Sequence, residues 1–132
     1  MRRKQLQRLA CDGEASTFLT LTIQNDGSKS EAEAARLLSR GWTLLRKRLM
    51  RRHNLTALPF LAVFEAHKSG FPHLHIILRM KFIKQSEISA LWLELTGSSV
   101  VDIRAVKSRS AVAWYVAKYI GKARGRFEGC KR

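Results

Sequence analysis

The chain has few cysteines, few acidic residues and no long apolar segment. Its two cysteines, Cys11 and Cys130, stand near opposite ends of 132 residues. Two such separated thiols form neither a disulfide framework nor a CxxC zinc signature, which is typical of a reducing compartment. No apolar run approaches the roughly 18 residues of a membrane span, and the basic N-terminus lacks the apolar core of a signal peptide. These absences predict a cytoplasmic protein that does not enter membranes.

Acidic residues are scarce relative to basic ones. Ten Asp and Glu residues stand against 25 Lys and Arg residues, which gives a formal net charge of +15. An excess of this size predicts a polyanionic partner, with nucleic acid favoured over an anionic membrane surface. The alternative is a basic surface that serves only solubility.

The chain also lacks internal repeats and low-complexity linkers. Its length predicts a single domain over residues 1–132, with basic tails at about 1–15 and 123–132. Alternating and helical apolar patterns predict the order β-α-β-β-α-β-α. The strands are expected at about 16–24, 59–67, 72–81 and 99–106. The first helix is expected to end near residue 52, the second to begin at Ser86, and the third to cover about 109–120.

The first two helices have recognisable start signals and apolar faces. Ser28 with Glu31, or Ser30 with Glu33, forms a possible capping box before the first helix. Ser86 is expected to cap the second helix. The predicted buried stripe of the first helix follows helical spacing, at Ala35, Leu38, Trp42, Leu45 and Leu49.

The first six elements match a split β-α-β plan, which is ferredoxin-like and also the topology of RRM domains. The predicted fold class is therefore α+β, with helices on one face of an antiparallel sheet and a last helix beside the other face. Alternation along the third strand places Leu74, Ile76 and Leu78 toward the helices. His73, His75 and Arg79 then share the second face, which Thr20 and Thr22 of the first strand also line.

The pair of histidines in "FPHLHIILRM" (71–80) is the first candidate for chemistry. Side chains two apart on a strand share a face, and paired imidazoles can hold a divalent metal. Glu65 lies across the hairpin with the same parity and is the expected third ligand, with His67 as its rival. Histidines on a strand face also occur as plain polar residues.

The last helix, "WYVAKYIGK" (114–122), carries two tyrosines and two lysines. At about 100° per residue, Tyr115, Lys118, Tyr119 and Lys122 fall within one arc of roughly 100°. A tyrosine can act as a nucleophile when a nearby cation stabilises its phenolate. The alternative is an amphipathic helix whose phenols simply reach water.

Three segments together resemble the HUH endonuclease superfamily, in particular rolling-circle replication initiators (Rep proteins) of single-stranded DNA phages, viruses and plasmids. "FLTLT" (18–22) resembles the first motif of that superfamily and "PHLHII" (72–77) its His-hydrophobic-His motif. "YVAKY" (115–119) resembles the Tyr-x-x-Lys-Tyr pattern of microvirus-type initiators. The resemblance covers about residues 17–122 and implies the HUH endonuclease fold.

The resemblance implies a role for each matching residue. His73, His75 and Glu65 are the implied ligands of Mg²⁺ or Mn²⁺. Zn²⁺ suits the same side chains but not the phosphoryl-transfer chemistry of the superfamily. Among the expected catalytic and DNA-contacting residues are Tyr115 or Tyr119 as nucleophile, Lys118 as charge stabiliser, and Thr20, Thr22, Arg79 and Lys122 as DNA contacts.

The implied activity is nicking and joining of single-stranded DNA at a replication origin through a 5′-phosphotyrosine. The chain has no G-x-x-x-x-G-K-[ST] phosphate loop, so a separate helicase and a host polymerase are expected as partners, with no small-molecule substrate. An HUH transposase or relaxase is the main alternative. A non-catalytic RRM-like module is another, although it would need aromatic residues where this sheet has threonines and histidines.

Overall fold

The computed structural model describes residues 16–66, 70–80, 83–106, 110, 114 and 117–118. Within them the chain forms, in order, β1 (Ser16–Thr22), α1 (Glu31–Arg52), β2 (Phe60–Ala66), β3 (Pro72–Leu78), α2 (Gln85–Thr96) and β4 (Val101–Val106). Four further positions of the expected last helix are helical: Ser110, Trp114, Ala117 and Lys118.

The four strands form one antiparallel sheet in the order β2-β3-β1-β4. The two central strands, β1 and β3, are the ones that carry the threonines and the histidines. Because each β-α-β unit skips one position in the sheet, both connecting helices pack on the same face. The expected split β-α-β class is therefore confirmed.

Each strand is shorter than its apolar pattern suggested. β1 ends at Thr22 rather than at residue 24, and β3 ends at Leu78 rather than near residue 81. The ladder between them runs only from the pair Thr17 and Leu78 to the pair Thr22 and His73. Alternation alone does not reveal where the partner strand stops.

The capping box of α1 uses the second of the two possible pairs. The Ser30 hydroxyl accepts a hydrogen bond from the Glu33 backbone N–H, and the Glu33 carboxylate accepts one from the Ser30 backbone N–H. These bonds to Ser30 hold the pKa of Glu33 below its usual range. Ser28 instead donates to Asp26 in the preceding turn.

The buried stripe of α1 begins one residue earlier than predicted. Ala34 is fully buried, whereas Ala35 is only half-buried. The stripe also includes Gly41, where a Cβ atom would lie 2.8 Å from the Trp92 ring and from the Thr96 methyl group of α2. Gly41 therefore sets how closely the two helices approach.

The start predicted for α2 was wrong. Lys84, not Ser86, is the N-cap residue, and no side chain caps this helix. The Lys84 carbonyl accepts hydrogen bonds from the Glu87 and Ile88 backbone N–H groups, so Ser86 already lies inside the first turn. The helix ends at Gly97, whose φ of 82° is the left-handed conformation that glycine adopts without strain.

The two faces of the sheet differ in composition. The face toward α1 and α2 is an apolar core that includes Leu19, Leu21, Leu74, Ile76 and Trp92. The second face is exposed less widely than expected. Its far end is apolar and at most 5% exposed, at Phe18, Leu61, Val63 and Ile77.

Candidate active site

The register of β1 against β3 places a threonine beside each histidine. Thr20 pairs with His75, and Thr22 pairs with His73. Directly opposite side chains in an antiparallel pair lie about 5 Å apart at Cβ, which is within reach of a hydrogen bond. The hydroxyl Oγ1 of Thr20 lies 3.0 Å from Nδ1 of His75, and that of Thr22 lies 3.2 Å from Nδ1 of His73.

These contacts occupy the same nitrogen of each imidazole. A partner at Nδ1 determines which tautomer a histidine adopts, and so decides what its Nε2 offers. When the threonine hydroxyl accepts from Nδ1–H, Nε2 has a free lone pair. Thr20 and Thr22, expected as DNA contacts, therefore direct their hydroxyls to the histidines.

Glu65 reaches His75 rather than the residue directly opposite it. Glu65 pairs with His73 in the β2–β3 ladder, yet its Oε1 lies 2.7 Å from Nε2 of His75. Diagonal neighbours on a sheet lie about 7–8 Å apart, and a glutamate is long enough to cover that distance. Both side chains are shielded, with 10% of His75 and 27% of Glu65 exposed.

The His75 ring is also flanked by two other rings. The Phe18 ring stacks on it at a centroid distance of 5.6 Å and an angle of 9°. The His73 ring lies nearly parallel on the same sheet face, 6.5 Å away at 15°. With Thr20 at one nitrogen and Glu65 at the other, the orientation of His75 is defined by four neighbours.

The expected metal ligands are only partly assembled. Among the described residues, no three His, Cys, Asp or Glu side chains are grouped closely enough to hold a metal ion. The structure brings Glu65 and His75 together, and it places the His73 ring beside them on the same face. His67, the rival third ligand, lies outside the described residues.

A pocket of about 390 Å³ opens beside His75. Phe18, Thr20 and His75 form its sheet side, with Asp102 and Arg104 from β4. Trp114 and Lys118 of the last helix line it as well, and the Lys118 ammonium lies 5.1 Å from the centre of the Trp114 ring. Lys118 therefore shares a pocket with a histidine that lies far earlier in the sequence.

Three pocket residues were missed by the sequence reasoning. Asp102 and Arg104 are exposed and contact each other at 3.2 Å. Their signal was available, since they alternate along β4 with the same parity as Thr20. Trp114, 58% exposed, had no signal other than its position before Tyr115.

The remaining expected residues divide between described and undescribed positions. Arg79 is half-buried and follows the last residue of β3, where its backbone N–H donates to the Pro59 carbonyl at 3.0 Å. Tyr115, Tyr119 and Lys122 lie outside the described residues.

The described helices offer no candidate membrane span, because none is both long and apolar enough.

Comparison with known proteins identifies the family. The sequence profile of the replication-associated protein ORF2 family matches residues 16–124, from the first residue of β1 to beyond Lys118. No curated protein and no solved structure matches the chain. The matched segment contains the histidine pair, Glu65 and the pocket residues, and its length is most of the chain; the protein belongs to the replication-associated protein ORF2 family.

Proposed function

We propose that this protein is an HUH endonuclease that initiates rolling-circle replication by nicking and rejoining single-stranded DNA. The observation that carries the proposal is the 2.7 Å contact between Glu65 and His75 beside His73 on one sheet face. It occurs in a chain of a replication-associated family. The pattern Tyr-x-x-Lys-Tyr at 115–119 supplies the nucleophile that this chemistry requires.

The side chains around His75 suit a divalent metal ion. Two ligands that each lie about 2.1 Å from a hard ion at right angles are about 3 Å apart. The separation of Glu65 and His75 is close to that value, and Nε2 is the nitrogen that the threonine contacts leave for a ligand. Glu65, His75 and His73 would hold Mg²⁺ or Mn²⁺. A bound ion would act as a Lewis acid on the scissile phosphate.

The protein's own groups prepare this site before any ion binds. Thr20 and Thr22 orient the imidazoles through Nδ1, and Phe18 limits rotation of the His75 ring. Partners of this kind raise ligand basicity and fix the orientation of the ring. The site is therefore supported by the strand that carries the first motif.

We assign the nucleophile to Tyr115 or Tyr119. The phenol loses its proton, its oxygen forms a bond to phosphorus, and the bond from phosphorus to the 3′ oxygen breaks. The 3′ oxygen takes up a proton and leaves as a hydroxyl, and the DNA 5′ end stays on the tyrosine. Because one ester replaces another, religation needs no ATP, and the second tyrosine allows a second cut.

Lys118 is the proposed charge stabiliser in this step. Its ammonium lies in the pocket that His75 also lines, and a cation there favours both a phenolate and the charge that develops on phosphate. Trp114, which is exposed beside it, offers an indole face on which a DNA base can stack.

An RRM-like binding module is a weaker explanation of the same sheet. Such modules stack bases on exposed aromatic residues of the central strands. On the second face of this sheet the aromatic residue of β1 is Phe18, which is 5% exposed and stacked on His75. That ring stabilises a histidine and is closed to a base.

The test is the formation of a covalent adduct. The protein is incubated with a pool of single-stranded oligonucleotides and Mn²⁺, and a denaturing gel is expected to contain a DNA-linked protein band. The band should disappear in EDTA and in the double variant Tyr115→Phe/Tyr119→Phe, while the two single variants assign the nucleophile. The absence of an adduct with any origin-like pool would contradict the nuclease assignment.

A matched pair of histidine variants tests the metal ligands. His75→Ala is expected to abolish Mn²⁺-dependent adduct formation. His53→Ala serves as the control, because His53 lies at the end of α1 and contacts Glu87 of α2 instead. Equal activity in the two variants would contradict the role of His75.

A further inference from the structure

The basic residues of α1 fall into two groups. Arg48 forms an ion pair with Glu94, and Arg52 forms one with Glu87 at 3.5 Å. Arg46 donates to the Leu58 carbonyl at 3.1 Å and lies over the Phe60 ring. These three arginines fasten α1 to α2 and to the segment before β2.

The second group forms a basic stripe, which we define as Arg36, Arg40, Lys47 and Arg51. All four side chains are exposed. Within the described part of the chain, none of them forms an ion pair with a carboxylate. The nearest acid in their own helix, Glu33, is engaged by the capping box, and its charge is also favoured by Arg36.

The stripe follows one line along the helix. At about 100° per residue its members fall within an arc of roughly 60°, and its span of about 15 residues is about 22 Å long. The buried residues Leu38, Trp42 and Leu45 lie on the opposite side of the helix and face the sheet. The stripe therefore points away from the sheet and from the candidate active site on its second face.

A groove of about 620 Å³ lies at the N-terminal half of this stripe. Its described lining includes the cations of Lys29, Arg36 and Arg40 and the single acid Glu33. The hydroxyl groups of Ser39 and Thr43 also line it, so the groove is polar and has a net positive charge. A concave surface of this character suits a phosphate backbone.

We propose that the basic stripe binds the sugar-phosphate backbone of duplex DNA, on the side of the protein opposite to the nicking site. Duplex DNA presents one negative charge per about 1.7 Å of helix axis, so about 22 Å of stripe faces about six base pairs. A rigid helix with fixed charge spacing suits this rigid array better than a flexible single strand. The proposal does not depend on the nicking chemistry.

Two other polyanions fit the stripe less well. A helix that lies on an anionic membrane inserts a large apolar face into the lipid, but the apolar face of α1 is buried against the sheet. A single strand has to be ordered before it can follow a straight row of cations, and that ordering reduces affinity. Vesicles and single strands are therefore the comparison ligands in the test.

The test compares two double variants of the same helix. Arg36→Gln/Arg40→Gln removes two charges of the stripe, and Arg48→Gln/Arg52→Gln removes two charges that already have carboxylate partners. Binding of a fluorescent duplex of about 20 base pairs is measured by anisotropy in EDTA over about 50–200 mM NaCl, so that no cleavage occurs. Thermal unfolding of both variants verifies that they are folded.

The stripe variant is expected to bind the duplex at least about tenfold more weakly. Its slope of log K against log salt should be less steep by about 1.8, the value for two lost phosphate contacts, whereas the control slope should stay unchanged. Equal losses in both variants would overturn the proposal, because they would reflect net charge alone. It would also be overturned if the stripe variant lost only single-strand binding, or only binding to phosphatidylserine vesicles.

Discussion

At the scale of single residues, the candidate active site depends on pairs that form across strands. His75 has Thr20 at one ring nitrogen and Glu65 at the other, and these two come from strands on either side of it. Side-chain parity predicted that all three share a face. It did not predict that Glu65 contacts His75 instead of its direct partner His73, because that choice depends on side-chain length and on the twist of the sheet.

The contact between Thr20 and His75 predicts a change in metal affinity when the hydroxyl is removed. Thr20→Val keeps the shape and branching of the side chain but leaves Nδ1 without its partner. We expect Mn²⁺ to bind about 10–100-fold more weakly, as measured by calorimetric titration of the DNA-free protein. Thr20→Ser should restore most of the affinity.

Thr43→Val, on the exposed side of α1, is the control for the threonine-to-valine exchange. It should bind Mn²⁺ like the unmodified protein. If Thr20→Val did so too, Thr20 would have no part in positioning His75.

At the scale of helices and strands, nonlocal contacts decided what local patterns left open. Two serines were suitable caps for α1, and the structure uses Ser30 because Ser28 is engaged with Asp26. No cap signal marked Lys84 as the start of α2. The helical stripe of α1 was predictable from spacing, but the need for glycine at position 41 arises only from the position of α2.

The close approach at Gly41 predicts that this helix tolerates no larger residue there. A methyl group would collide with Trp92, which is fully buried and whose indole N–H donates to the Thr22 carbonyl at 2.9 Å. Overpacking costs about 1–3 kcal/mol, and alanine regains about 1 kcal/mol of helix propensity. Gly41→Ala should therefore lower the free energy of unfolding by about 1–2 kcal/mol in urea denaturation.

Ser39→Ala is the matched control, because it places alanine at an exposed position of the same helix. Its effect should stay within about 0.5 kcal/mol. A stabilising effect of Gly41→Ala would mean that α1 and α2 are able to separate at low cost.

At the scale of the whole molecule, charge is distributed over both sides of the fold. The net charge of +15 comes from the entire chain, and the pocket beside His75 contributes Arg104 and Lys118. The helix side contributes the basic stripe. A polyanionic partner was predictable from composition, but the separation into two surfaces was not.

This charge predicts that stability depends on salt. Like charges repel one another in the compact state, and added salt screens that repulsion. The melting temperature is expected to rise between about 20 and 200 mM NaCl, as followed by circular dichroism. A melting temperature that fell over this range would mean that attractive ion pairs, such as that of Arg52 with Glu87, outweigh the repulsion.

The sequence by itself determined the fold class, the face on which His73 and His75 lie, and the resemblance to replication initiators. These features depend on periodicity and on short motifs, which are local properties of the chain. Only the tertiary structure decided which groups contact each histidine, how close α1 comes to α2, and which arginines of α1 have acidic partners. Those contacts join residues far apart in the sequence, and their distances depend on how the strands and helices pack.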